Sequence, residues 1–221
     1  MKRVHVLAEG QTEETFVRDV LGPHLLAHDV YVTPVIVSTK RVLAGQKFRG
    51  GVVSFGKLKS EILNLLRDKS AAAVTTLIDF YGLPDDCPWP PSAPRSLPRE
   101  RVSAVELLMA QDIGSPRFIP HLSLHEFEAF LFVEPATTAA VLAPETPQEL
   151  AQALATVREQ FDGPEDINAG PTTHPSRRIA DAWRRYNKVR HGPLTAARVG
   201  LPALRAACPH FDAWVARLEM L

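Results

Sequence analysis

Hydrophobic and polar positions in the first half of the chain follow two periods, one typical of strands and one typical of helices. Arg3–Ala8 alternates and is rich in valine, which predicts a strand. Val30–Ser38 predicts a second strand, and the almost wholly apolar Ala72–Ile78 predicts a third that is buried on both faces. Apolar residues recur at helical spacing between these segments. The resulting β-α-β-α-β order predicts right-handed crossovers and a mostly parallel sheet.

Particular residues indicate where these elements end and where they lie. The pair Glu13-Glu14 suits the positive first turn of a helix, and Gly22-Pro23 predicts that this helix ends there or soon after. Ser54 is expected to cap the start of the next helix. Pro34 cannot donate a ladder hydrogen bond, so the second strand is expected at an edge of the sheet or beside a bulge.

The second half of the chain begins with a proline-rich loop and becomes helical. Leu83–Pro98 contains six prolines and predicts a long, stiff loop beside Asp79. The segments after it predict, in order, a helix, a fourth strand, a short helix, a capped helix, a basic helix and a last helix: Arg99–Gln111, Arg117–Leu124, His125–Phe132, Thr146–Phe161, Ser176–Val189 and Phe211–Glu219. We expect an α/β core over residues 1–135 and a helical C-terminal extension over 136–221, packed together as one globular unit.

Acidic side chains follow the predicted strands at the points where they end. Glu9 follows the first strand, Asp79 the third, and the cluster His125–Glu128 the fourth. In parallel sheets, sites lie outside the carboxyl ends of the strands. Mg²⁺ prefers carboxylate oxygens, so Glu9 and Asp79 are candidate ligands for Mg²⁺ or Mn²⁺. The alternative is that both are ordinary polar turn residues.

These segments resemble a known family. Ala8–Glu13 resembles the first motif of the Toprim fold, and the strand that ends in Asp79 resembles its second, Asp-x-Asp. The resemblance implies a Toprim-like α/β fold related to nucleases of the overcoming-lysogenization-defect (OLD) type. In that fold the first Glu is an acid/base group or metal ligand, and the Asp pair holds Mg²⁺.

Further segments are similar to a bacterial Toprim-like family of uncharacterised proteins. They span most of the chain: Thr75–Pro84, His125–Ala129, Ile167-Asn168 and Pro175–Ile179. Members of that family often occur beside ABC-type ATPases in antiphage defence islands. The resemblance therefore implies a nuclease effector and an ATPase partner.

One position departs from the Toprim pattern. Tyr81 stands where the second Asp is expected, so another group must complete the site. We expect Glu126 or Glu128 as the third acidic ligand, rather than Asp85 or Asp86 on the proline loop. On a helix the two glutamates point in different directions, so only one is expected to face Asp79. An ordinary amphipathic helix start is the alternative interpretation.

Basic residues concentrate in two segments although the 25 basic and 25 acidic residues cancel. A phosphate-binding role is predicted for Lys40, Arg41, Lys47, Arg49, Ser176, Arg177, Arg178 and Lys188. Ser176 at a predicted helix start, followed by two arginines, suggests a phosphate cradle. The alternative is two solvated faces. His125 is a candidate proton shuttle, phosphate contact or structural strand-end residue.

Cysteine content, apolar runs and histidine spacing limit the classes of protein to which the chain is expected to belong. Cys87 and Cys208 provide neither a CxxC pair nor a disulfide framework, which favours a reducing cytoplasm. No apolar run is long enough for a membrane span, and the N-terminus does not resemble a secretory signal. The eight histidines show no HxH or HExxH spacing, so no zinc site is expected.

Two functions remain open at this stage, with a third less favoured. The first is a Mg²⁺-dependent nuclease acting on DNA or RNA, with Glu9, Asp79 and His125 as catalytic residues. The second is a catalytically weak sensor or adaptor that docks on an ABC-type ATPase. The third, a response-regulator-like pocket, lacks an acidic pair on the first strand. The expected partners are nucleic acid and the ATPase, without a membrane, and a homodimer is left open.

Overall fold

The computed structural model describes residues 1–37, 52, 54–90, 98–167, 170 and 172–221. The strands are β1 (Lys2–Ala8), β2 (Val30–Ile36), β3 (Ala71–Asp79), β4 (Phe118–Ile119) and β5 (Leu122–Ser123). The α-helices are α1 (Gln11–Phe16), α2 (Gly22–Leu26), α3 (Phe55–Leu66), α4 (Pro98–Ile113), α5 (Pro135–Leu142), α6 (Pro147–Arg158), α7 (Pro175–Ala182), α8 (Lys188–Val199), α9 (Leu201–Ala207) and α10 (Pro209–Glu219). A π-helical turn covers Val17–Leu21, and 3₁₀ helices cover Phe127–Phe132 and Pro164–Asp166.

The sheet is parallel at every pairing that the described residues show. Its order is β2-β1-β3-β4, and β5 continues the edge beside the end of β3. Ala8 pairs with Ile36 on one side and with Leu77 on the other, and Asp79 pairs with Ser123. The mostly parallel α/β fold is therefore confirmed. The position of β2 at an edge is also as Pro34 predicts.

Strand β3 separates two hydrophobic clusters because its side chains alternate between the two faces of the sheet. Ala73 and Leu77 belong to one cluster, whereas Val74 and Ile78 belong to the other. The first cluster includes residues of α1 and of the C-terminal helices, and the second includes residues of α3 and α4. Helices therefore cover both faces, as a buried parallel strand requires.

The C-terminal helices share the core with the sheet. The ring of Phe211 on α10 lies 6.0 Å from that of Phe16 on α1, centroid to centroid. The indole Nε1 of Trp214 donates a 2.8 Å hydrogen bond to Oγ1 of Thr75 in the middle of β3. Thr75 Oγ1 in turn donates to the carbonyl of Ile119 on β4. A buried hydroxyl thus joins three parts of the fold.

A close helix contact depends on glycine at position 192. A Cβ there would lie 3.0 Å from Cγ2 of Thr12 and 3.4 Å from the ring of Phe127. These distances are too short for an ordinary side chain, so Gly192 lets α8 approach α1 and the 3₁₀ helix at Phe127–Phe132. The start of α8 is held beside the carboxyl ends of the strands as a result.

The boundaries in the N-terminal half agree only in part with the prediction. The first helical stretch ends at Leu26, soon after Gly22-Pro23 as expected, and a π-helical turn at Val17–Leu21 carries it through the proline. The predicted strand Arg117–Leu124 is interrupted at Pro120-His121, between β4 and β5. Ser54 caps α3 as expected, by accepting a hydrogen bond from the backbone N–H of Lys57.

The C-terminal half also departs from expectation. The predicted basic helix Ser176–Val189 is two helices, α7 and α8, because Asn187 starts a new helix by accepting a 3.0 Å hydrogen bond from Arg190 N. Helix α6 begins at Pro147, but the Thr146 side chain makes no capping bond. Helices α5 and α9 were not predicted. None of the described helices has the length and apolar character needed to cross a membrane.

We expect Thr75→Val to destabilise the fold by about 2 kcal/mol or more, because it leaves the Trp214 indole and the Ile119 carbonyl buried without this partner. Urea unfolding at fixed pH measures the change. Thr195→Val is the matched control: the Thr195 hydroxyl is buried and has no hydrogen-bond partner among the described residues. Its loss should cost less than about 0.5 kcal/mol. Equal losses in the two variants would contradict this account.

Candidate active site

Glu9 and Asp79 lie side by side at the carboxyl ends of β1 and β3. The backbone N–H of Asp79 donates a 2.9 Å hydrogen bond to Oε2 of Glu9. The Asp79 side chain is held separately, because its Oδ1 accepts a 2.9 Å hydrogen bond from Phe127 N. Adjacent parallel strands thus bring the two residues together as the sequence indicates. Their roles as ligands or catalytic groups stay predictions.

Two further carboxylates join this pair. Glu13 lies in the first turn of α1, one helical turn after Glu9, and its side chain is 3% exposed. Glu128 lies in the 3₁₀ helix that follows β5 and is fully buried. The four residues Glu9, Glu13, Asp79 and Glu128 are called the acidic cluster below.

Lys188 places its ammonium against the acidic cluster. Its Nζ lies 3.2 Å from Asp79 Oδ2, 3.2 Å from Glu128 Oε2 and 3.7 Å from Glu13 Oε1. Lys188 is the first residue of α8, directly after the capping residue Asn187. Its side chain is 37% exposed, whereas Asp79 and Glu128 are buried, so solvent reaches the cluster from the lysine side.

Tyr186 fixes the orientation of the Glu128 carboxylate. Its hydroxyl donates a 3.1 Å hydrogen bond to Oε1 of Glu128. Burial, together with the charge of Glu128, raises the pKa of Tyr186, so the hydroxyl remains a donor. Glu128 therefore has one oxygen bound to tyrosine and the other directed at the Lys188 ammonium.

Burial makes the acidic cluster hold protons more tightly than ordinary carboxylates do. It raises the pKa of Glu9 to about 7, against the lowering effect of the Asp79 N–H and of Lys188. It also raises the pKa of Asp79 well above its ordinary value, and that of Glu128. For Lys188, burial acts to lower the pKa, but attraction to Asp79, Glu128 and Glu13 outweighs it, so the pKa is raised well above its ordinary value.

The donor set suits a hard divalent cation. Glu13 Oε1 and Glu128 Oε2 are buried, and among the described residues they face the Lys188 ammonium without a well-formed hydrogen bond. Without a metal, burial favours the protonated forms of Glu9, Asp79 and Glu128. Mg²⁺ and Mn²⁺ bind carboxylate oxygens and would displace those protons. Glu9, Glu13, Asp79 and Glu128 are therefore the groups that would hold such an ion, and the Lys188 ammonium, which lies among three of them, would have to move aside.

Glu126, the other predicted third ligand, is engaged elsewhere. Its carboxylate accepts hydrogen bonds from Ser176 N at 2.9 Å and Ser176 Oγ at 3.2 Å, and it lies 3.1 Å from Nδ1 of His174. Glu126 thus caps the start of α7 from outside the helix. The structure brings Glu128, not Glu126, to Asp79. The Ser176 donors expected to cradle phosphate are bound to this chain's own carboxylate.

The predicted arginines of α7 are also engaged. Arg177 forms an exposed ion pair with Asp181, one turn later on the same helix. Arg178 donates to the carbonyl of Thr173 and lies over the ring of Phe161, 5.3 Å from its centroid. The Arg177 pair is exposed and weak, so that side chain remains accessible to a phosphate. Four of the basic residues predicted to bind phosphate lie outside the described residues: Lys40, Arg41, Lys47 and Arg49.

His125 belongs to a neighbouring cleft. Its backbone has φ 75°, an uncommon conformation for a residue other than glycine, and burial lowers its pKa to about 4. The cleft is also lined by Phe80, Trp89 and Arg101. The ring is therefore neutral at pH 7, and its predicted catalytic role remains a prediction.

Tyr81 and Asp86, which lie near Asp79 in the sequence, contact residues outside the acidic cluster. Tyr81, which replaces the second Asp of the motif, stacks on His174 with the ring centroids 5.1 Å apart. Asp86 caps α3 by accepting hydrogen bonds from Phe55 N and Gly56 N, so it does not complete the acidic cluster.

Sequence reasoning missed the composition of the cluster. Glu13 was interpreted as a helix-start residue, although its spacing of four from Glu9 places both on the side of the strand ends. Lys188 was assigned to phosphate, and Tyr186 was not expected at the site. The sequence signal nearest to Lys188 is Asn187, which marks a helix start immediately before it.

Comparison with known proteins gives a family rather than an activity. No curated protein matches the chain in sequence. Among solved structures, the chain is similar to the C-terminal region of the Burkholderia pseudomallei OLD protein, with 18% identity, a TM-score of 0.45 and 99% of each chain covered. The model of a family described as a domain of unknown function (DUF4276) matches residues 8–219. Because this match spans nearly the whole chain, the protein belongs to the DUF4276 family.

Proposed function

We propose that this protein is a Mg²⁺- or Mn²⁺-dependent nuclease that hydrolyses phosphodiester bonds of DNA or RNA. The observation that carries the proposal is the acidic cluster, in which four carboxylates from β1, α1, β3 and a 3₁₀ helix converge at the carboxyl ends of parallel strands. A buried set of carboxylates is costly to the fold unless a cation compensates it. Its resemblance to Toprim motifs adds independent support from the sequence.

Each residue of the acidic cluster suits a different role in such a reaction. A bound divalent ion would polarise the scissile phosphate and lower the pKa of water. Asp79 and Glu128 are fixed by hydrogen bonds from Phe127 N and the Tyr186 hydroxyl, so they suit the role of rigid ligands. Glu9 has a pKa of about 7, which suits a group that accepts a proton near neutral pH.

Lys188 suits contact with the phosphate. It is the exposed member of the site, and its ammonium already lies between the carboxylates and solvent. An ammonium at this position attracts a phosphodiester that would otherwise be repelled by the carboxylates. Arg177 has a half-exposed side chain and would provide a further phosphate contact if the substrate reaches α7.

A second function is favoured by the same lysine. In the described structure the Lys188 ammonium occupies a position between Asp79 and Glu128, where it partly compensates their charge without a metal. The chain would then act as an inert adaptor that docks on an ABC-type ATPase. In both cases we infer a role in antiphage defence, which rests on the sequence resemblance alone.

We expect Glu9→Gln and Asp79→Asn each to abolish Mg²⁺- or Mn²⁺-dependent cleavage of DNA or RNA, as EDTA should in the wild type. Loss of one cluster member should lower the rate by at least about 100-fold, as for a group in direct contact with the reaction. Gel assays of single- and double-stranded substrates measure it. Glu14→Gln is the matched control, since Glu14 is the neighbour of Glu13 but pairs with Arg18 on the surface.

If the isolated wild-type protein cleaves neither DNA nor RNA, the same assay is repeated with the ATPase partner and its nucleotide. If cleavage remains absent and Glu9→Gln leaves the biological effect intact, the adaptor is the correct function. Cleavage that persists in both cluster variants would assign the activity to another site or to a contaminant.

We expect Mg²⁺ to bind more tightly as pH rises from about 6 to about 8 and to release protons near pH 7. The reason is that Glu9, with a pKa of about 7, is partly protonated in the free protein and must lose its proton to bind metal. Calorimetry at pH 7 in buffers of different ionisation enthalpy measures the release. In Glu9→Gln the share of the release that comes from Glu9 should disappear, leaving that of Asp79 and Glu128, whereas Glu14→Gln should retain the full release.

The raised pKa of Glu9 also makes the free energy of unfolding depend on pH. Glu9 holds its proton more tightly in the folded state than in the unfolded state, so its contribution to stability is present below about pH 4.5 and is lost as pH rises through 7. Without metal, the wild type should therefore lose stability over this range relative to Glu9→Gln. A metal affinity that does not depend on pH would contradict the assignment of Glu9.

We expect Lys188→Met to destabilise the metal-free protein at pH 8 by about 1–3 kcal/mol, because the buried carboxylates lose their compensating charge while partial exposure limits the cost. Mg²⁺ should raise the melting temperature of this variant more than that of the wild type. Arg190→Met on the exposed face of α8 is the control. A variant that is destabilised but gains nothing from Mg²⁺ would favour the adaptor.

A further inference from the structure

Three side chains with metal-binding atoms converge on a cleft away from the acidic cluster. Glu106 comes from α4, His121 from the break between β4 and β5, and His210 from the first turn of α10. Glu106 Oε1 lies 3.0 Å from His210 Nε2 and 3.8 Å from His121 Nδ1, and the three ligand atoms lie within 4.8 Å of one another.

These separations fit a tetrahedral zinc ion. Zn²⁺ binds imidazole nitrogen and carboxylate oxygen at about 2.0–2.2 Å, which places neighbouring ligand atoms about 3.3–3.5 Å apart in a tetrahedron. The two separations from Glu106 Oε1 lie on either side of that value. The three ligand atoms lie within 4.8 Å of one another, so side-chain adjustments would have to bring them to the tetrahedral separation.

The surroundings hold the three groups in place. His121 is 2% exposed, and its ring stacks on Trp214 at 4.4 Å and on His210 at 5.0 Å. Leu122 N donates a 2.7 Å hydrogen bond to Glu106 Oε1, which orients the carboxylate. Such outer contacts are what positions metal ligands in known sites.

The cleft leaves one coordination position open. It has a volume of about 180 Å³ and is lined in addition by Pro120, Trp214 and Arg217. A water molecule or a small anion fits beside the three protein ligands. Within the part of the chain that the structure describes, the ion pairs of Glu106 are with His121 and His210.

A second group of similar composition provides a comparison. His24, His28 and Glu219 also lie together, but the Arg205 guanidinium contacts both Glu219 and His24. A permanent cation therefore already occupies that group. This difference distinguishes the two and makes His24 and His28 matched controls.

We propose that Glu106, His121 and His210 form a Zn²⁺ site with an open fourth position, separate from the acidic cluster. The ion would join α4, the interrupted edge of the sheet and α10. The ligands come from three distant segments, which explains why histidine spacing in the sequence gave no sign of zinc.

The test is a Zn²⁺ titration of the full chain by calorimetry, after removal of metals with a chelator and in excess Mg²⁺ to occupy the acidic cluster. We expect one equivalent of Zn²⁺ to bind, and His121→Gln or His210→Gln to weaken it by at least about 100-fold. The double variant His24→Gln, His28→Gln should bind as the wild type does. Circular dichroism reports whether each variant is folded.

A second measurement uses the wild type and does not require the His121 variant to fold. X-ray absorption of the Zn²⁺-loaded wild type should show two imidazole ligands, and Co²⁺ in its place should give the strong visible absorption of a tetrahedral site. The proposal is overturned if the wild type binds no Zn²⁺, if fewer than two imidazoles are found, or if binding is lost in the His24/His28 variant instead.

Discussion

Pairing of β3 on both of its edges is the constraint on which the rest of the molecule depends. The strand is held between β1 and the interrupted edge of β4 and β5, and its two faces carry the two hydrophobic clusters. A strand fixed in this way has no freedom to slip, because a shift by one residue would exchange its faces. Asp79 at its end is therefore positioned by the whole core rather than by its loop.

Much of this arrangement follows from local sequence. Valine-rich alternation marks β1, the apolar run marks β3, and Pro34 marks the edge strand, so the parallel sheet and the meeting of Glu9 with Asp79 are predictable. Local patterns identify each strand, and the general preference of β-α-β units for right-handed parallel crossovers then brings the strand ends together. Gly22-Pro23 shows the limit, because a π-helical turn in the structure absorbs a residue pair that normally ends a helix.

The unpredicted part of the site depends on contacts between distant segments. Lys188 lies more than a hundred residues after Asp79 in the sequence, and nothing near it indicates that α8 begins there except Asn187. The choice between Glu126 and Glu128 was likewise decided by partners far along the chain: Ser176 and His174 take the first, and Tyr186 takes the second. A single sequence carries no record of such pairings.

Gly192 links packing to charge. It lies one helical turn after Lys188, and the absence of a side chain there sets how closely α8 rests on Thr12 of α1. One added methyl group would meet Thr12 at 3.0 Å and Phe127 at 3.4 Å, so either these side chains or the helix would have to shift. A shift of the helix would move the Lys188 ammonium relative to the carboxylates, and packing at Gly192 would then act on the charge of the cluster. Selection for an electrostatic property would be visible at this position as selection for small size.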